Sequence, residues 1–189
     1  MNNVSYLQQG TVQWGYHQQI ISAMGLGGLC CSWAMDYVKK CLAGKALTLQ
    51  TYADKGRIQK IADRHKLQGT AQPGTALHAV AGAYKLQMSR TPDYHFKNSH
   101  ISNGTSSGAM QAGNYYYVQL IAKPFKAHGF AFFCQTATSG DLADSYNGIF
   151  NVTNVTNTPG NSCGEILEDW ANKFFGDDLV SIDAFRMWL

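Results

Sequence analysis

Apolar residues recur every three to four positions in the first half of this chain and every two in the second. Numbered at about 100° per residue, Trp33, Ala34, Tyr37 and Cys41 fall within roughly 60° of Cys30 on one side of a helix. Cys31 lies on another line, with Met35, Val38 and Leu42. The pattern predicts a central helix from about Leu29 to Leu42, closed by Gly44. A second helix is expected from about Leu49 to Lys66, where Ile58, Ile61, Ala62 and His65 keep helical spacing. A third should follow Pro73-Gly74 and run through Leu77, Val80, Ala81 and Tyr84 to about Met88, with His78 as a packed or partly exposed helical residue. Residues 1–28 are polar, then glycine-rich, and read mostly as loop with a short helical turn at His17–Ile21.

From Ser89 to Gly113 periodicity collapses into a Ser-, Asn- and Gly-rich stretch, read as a long loop with His95 and His100 solvated in it. Period two then takes over. Strands are predicted at Asn114–Ala122, at Ala127–Gln135 and at Tyr146–Val152, with Thr136–Asp144 as a turn-rich connection. A polar loop, a helix at Glu165–Phe175 and a strand at Leu179–Leu189 complete the chain. Helices first and strands after point to an α+β fold with a mainly antiparallel sheet. Neither a repeat nor a linker divides the 189 residues, so one domain is expected over 1–189, with 1–27 partly loop.

Composition narrows the function classes. A hydrophobic fraction of 45% and a charged fraction of 14% describe a globular domain. A net charge of +3 without a long basic run gives no footprint for nucleic acid. Met1–Gln19 is polar and carries no signal-peptide pattern, and no apolar run approaches the length of a membrane span. The four Asn-x-Ser/Thr sequons then read as chance matches, at Asn3, Asn103, Asn151 and Asn154. Five cysteines, odd in number and without a Cys-x-x-Cys pair, suggest neither a disulfide framework nor a zinc site; a reducing compartment is the simpler expectation. No cofactor or metal is expected.

Three points carry candidate chemistry. Cys30 would sit in the first turn of the central helix, where free amides and the positive dipole end favour thiolate. His128 opens an apolar strand, and Gly129 beside it leaves space for a peptide to approach. Asp144 lies where an antiparallel neighbour of that strand would bring it beside His128, to hold the ring in one tautomer. Asp141 competes for that role but sits farther into the loop. Each residue also has an ordinary structural reading: a buried cysteine, a histidine flanking a strand, a turn aspartate.

The order Cys, His, Asp, on a helix and then a sheet, resembles papain-like cysteine proteases, and within them the YopT-type family of bacterial effector proteases, which includes AvrPphB-like proteins. Gly28-Leu29-Cys30 with Trp33 and Tyr37 resembles that family's Gly-x-Cys segment. His128-Gly129-Phe130-Ala131 resembles its histidine-led strand, and Asp144 to Phe150 its Asp-Pro-Asn-x-Gly-x-Phe segment. The likeness spans about residues 25–152. Tyr37 stands where the family usually has Trp, and Ser145-Tyr146-Asn147 replaces Pro-Asn-x. Papain-like enzymes also place an amide or acid side chain five or six residues before the cysteine as an oxyanion donor; here those positions are Gly25 and Met24, leaving Gln18, Gln19 or Ser22 as substitutes.

The resemblance implies a thiol peptidase acting on a host protein, secreted without a classical signal peptide and working in a reducing host cytosol. Catalysis would run through Cys30 as nucleophile, His128 as base and Asp144 as its orienting partner. Papain-like folds also host amidases, glutamine deamidases and transglutaminase-type enzymes, and a third reading is an interaction domain that has lost catalysis.

Overall fold

The computed structural model describes residues 12–26, 28–45, 54–70, 75–99, 102–124, 126–145, 148–153 and 163–189. Four helices come first: α1 (Val12–Met24), α2 (Cys30–Leu42), α3 (Lys55–Thr70) and α4 (Ala76–Ala83). Strands β1 (Gln87–Met88), β2 (Tyr94–Ser99), β3 (Ser102–Gly108), β4 (Asn114–Ala122), β5 (Lys126–Thr136), β6 (Ser139–Asp144) and β7 (Gly148–Thr153) follow. Helix α5 (Cys163–Phe175) and strand β8 (Leu179–Trp188) close the chain. The strands form one antiparallel sheet in the order β3-β2-β8-β4-β5-β6-β7, with β1 paired to β8. The last strand therefore inserts between β2 and β4.

Alternation along the strands gives the sheet two apolar faces. Tyr117, Ala131, Ala143 and Met187 pack against α1–α4. Val118, Phe130, Phe132, Leu142 and Ala184 pack on the opposite side with Leu167 and Ala171 of α5. Tyr117, Ala131 and Ala143 share one register row, and the two alanines leave room for α2 to lie on β5.

Helix α2 is buried on every side rather than on one stripe: Cys31 through Val38 are all shielded from solvent. Its polar residues are satisfied internally, as burial requires. Ser32 Oγ donates to the Ile61 carbonyl at 2.8 Å and lies 2.7 Å from the Tyr84 hydroxyl. Asp36 accepts from Arg57 of α3 at 3.0 Å and is ion-paired with Lys40 at 3.1 Å. These contacts fix the helix along its axis as well as across it.

Several expectations need correction. Residues 12–24 form a full helix rather than a loop with one turn. The helix at α4 stops at Ala83, where Lys85 takes a φ of 56°, and Gln87–Met88 pair with β8 instead of extending the helix. The stretch read as a loop at 89–113 holds the β2–β3 hairpin. Among the described residues of this stretch, Tyr94 and Phe96 are the buried aromatic rings, so the period-two signal is two residues long. The connection at 136–144 contains strand β6, whose tight turn leaves Asp144 at the end of a strand, not at the start of the next one. The second helix is seen over Lys55–Thr70; its expected start at 49–53 lies outside the described residues.

Candidate active site

The tip of α2 presents Cys30 as its first residue. Leu29 precedes it, buried, and supplies no side-chain cap; the helix's first turn contains no acid. The first turn's positive end is therefore not neutralised by the helix's own side chains. Cys30 is half-buried. Cys31 is fully buried, and burial together with the neighbouring Cys30 pushes its thiol up to about 12 against a weaker opposing hydrogen bond from Tyr117.

His128 and Asp144 come from neighbouring strands. The β5–β6 ladder ends at Ala131 opposite Ala143, whereas β5 continues back to Lys126 on β4 alone. In that opening the Asp144 carboxylate, 0% exposed, lies 2.5 Å from His128 Nε2. With Nε2 engaged, Nδ1 is the ring nitrogen left for another partner, and the Cys30 side chain is close enough to interact with the ring. Burial of the ring lowers its basicity, but the bonds and charge of Asp144 and Cys30 outweigh it and raise His128 to about 10. Phe130 backs the imidazole, with ring centroids 6.4 Å apart, and Trp170 of α5 stacks obliquely on Phe130 at 4.8 Å. The three residues singled out in the sequence thus lie in one connected set.

The other candidates fall elsewhere. Asp141 faces away, accepting from Gln135 at 2.8 Å and Asn151 at 2.9 Å. Gln18, Gln19 and Ser22 are exposed on α1. His95 is not a solvated loop residue: it lies on β2 with Nδ1 2.6 Å from Asp183. His78 is half-buried on α4, and His100 lies outside the described residues. Gly129 does not leave room for a substrate. A Cβ at that position would meet the Tyr117 hydroxyl at 2.5 Å, so the space is filled by tyrosine.

Two features were not legible beforehand. Tyr117 fills the space over Gly129 and lies near the buried Cys31; in the sequence it is one of three consecutive tyrosines with nothing to set it apart. A cavity of about 480 Å³ also opens between α3, α4 and the sheet, floored by Gln119, Asp183 and Phe185, with His78 and Arg90 on its walls. Gln119 pairs with Gly129, next to His128, so this cavity lies one strand away from the candidate triad.

No family model matches the sequence, and no curated protein matches it. Among solved structures, the crystal structure of the Pseudomonas avirulence protein AvrPphB aligns over 88% of this chain and 94% of its own, with a TM-score of 0.61 and 14% identity. The chain therefore has the α+β, papain-like fold of AvrPphB, with N-terminal helices packed on a C-terminal antiparallel sheet.

Proposed function

We propose that this chain is a thiol-dependent peptidase that cleaves a protein substrate through Cys30, His128 and Asp144. The observation that carries the reading is the His128–Asp144 pair at 2.5 Å, with the half-buried Cys30 sulfur at a helix tip near enough to act on the same ring. His128, held by Asp144 next to Cys30, is placed to take the thiol proton and carry it as an imidazolium. The sulfur then attacks a substrate carbonyl and forms an acyl-enzyme. Asp144 keeps Nε2 occupied and balances the imidazolium, so the proton on Nδ1 is aimed at the departing amine. Water, deprotonated by His128 in turn, releases the acyl group. The amides of the α2 tip supply stabilisation for the oxyanion.

The likeness to an avirulence protein supports a bacterial effector, secreted and acting in a host cytosol where a free thiol survives.

The test is selective alkylation followed by substrate profiling. Iodoacetamide at neutral pH is expected to modify Cys30 first and to leave Cys31 unmodified in the folded protein. Cys30→Ala should abolish turnover, and His128→Ala should slow Cys30 alkylation at least tenfold. New peptide termini in a treated host lysate, absent with Cys30→Ala, are the expected product. Faster labelling of Cys31 than of Cys30 would overturn the assignment, and a mass gain without new termini would identify a deamidase instead.

A further inference from the structure

Outside the candidate active site, two further cysteines meet on the α5 side of the sheet. Cys134 lies near the end of β5 and Cys163 is the first residue of α5. Both are buried, at 0% and 1% exposure, and their sulfurs are 3.0 Å apart. Each also lies against the Thr136 carbonyl, at 3.1 and 3.0 Å. Such contact fixes both side chains toward one another. The remaining cysteines, Cys30, Cys31 and Cys41, all belong to α2, which packs on the opposite face of the sheet. The fold therefore sorts the five thiols into one facing pair and a separate group on a helix that carries the candidate nucleophile.

We propose that Cys134 and Cys163 are a disulfide-forming pair that staples α5 to the central sheet whenever the protein meets a disulfide oxidant. A bond of about 2.0 Å needs the sulfurs to close by about 1 Å, within side-chain adjustment. With oxidised glutathione as oxidant, one protein thiolate attacks the glutathione disulfide and releases one glutathione thiolate. The second protein thiolate then attacks the mixed disulfide and releases another. Two protein thiols lose two protons and two electrons, and one glutathione disulfide becomes two glutathione thiols. Burial makes the exchange slow in the folded state, so the bond forms most readily as the chain folds. The staple leaves Cys30 as a thiol and does not depend on the activity proposed above.

The experiment refolds the reduced full chain in a glutathione redox buffer, traps remaining thiols with N-ethylmaleimide in denaturant, and reads the intact mass and peptide map. Label on Cys30, Cys31 and Cys41 only, with a peptide joining Cys134 to Cys163, is the expected result. The oxidised protein should melt about 5–10 °C above the reduced one, as closure of a loop of this length predicts, and dithiothreitol should erase the difference. Cys134→Ser and, independently, Cys163→Ser should each show no oxidation-dependent rise in melting temperature. Full labelling of all five thiols, or a bond joining Cys30 to Cys31 in place of this one, would overturn the proposal.

Discussion

Burial by itself would leave His128 neutral at physiological pH; Asp144 and Cys30 reverse that balance. The folded ring titrates near 10 and the unfolded one near 6.5, so the folded state binds the proton more tightly. Its stabilising contribution is complete below about pH 6.5 and is lost as pH rises through about 10. We expect His128→Gln to cost on the order of 2–4 kcal/mol at pH 6 and under about 1 kcal/mol at pH 10.5, by urea unfolding of both proteins at each pH. A pH-independent difference would show that the ring stabilises by packing alone. Cys30, His128 and Asp144 could be singled out as candidates because their chemistry and order are distinctive. Tyr117 was not, since one aromatic in a strand resembles any other until its partner is known.

At the scale of elements, a single glycine sets how β4 and β5 meet below α2. The Tyr117 hydroxyl, Cε2 and Cζ would lie 2.5, 2.8 and 3.0 Å from a Cβ at position 129. Gly129→Ala is therefore expected to destabilise by about 1–3 kcal/mol through overpacking. Adding Tyr117→Phe should recover part of that loss, because the nearest atom goes with the hydroxyl while the ring remains; chemical denaturation of the double mutant measures it. The long helices and β4, β5 and β8 were readable from periodicity. The β2–β3 hairpin and β6 were not. Strand β3 reads Ser-Asn-Gly-Thr-Ser-Ser-Gly and is the last strand on its side of the sheet, so its sequence carries no apolar alternation. Helix α1 was missed for a related reason: its apolar residues are weakly segregated, and it is held by contact with α3.

For the whole molecule, the helical layer is tied together by a buried charge cluster. Asp36, 5% exposed, joins Lys40 of its own helix to Arg57 of α3. Burial lowers Lys40 to about 8, although Asp36 draws it back up. Asp36→Ala would leave two cations without their carboxylate and is expected to cost about 3–5 kcal/mol, read from the urea midpoint. Loss of alkylation selectivity at Cys30 in the same variant would trace the effect to the helix tip. Among the described residues no helix is long and apolar enough to cross a membrane.

The sequence by itself determined the class of the fold, the helix that starts at Cys30, and the residue types able to run thiol chemistry. Those follow from local periodicity and from side-chain chemistry, which a chain carries wherever it goes. Only the tertiary structure decided that the last strand inserts between β2 and β4, that the β5–β6 ladder ends one residue short of Asp144, and that Cys134 faces Cys163. Strand order and sulfur-to-sulfur contact join residues far apart in the chain. No local pattern encodes such pairings, because they are selected by the packing of the whole sheet between two helical layers.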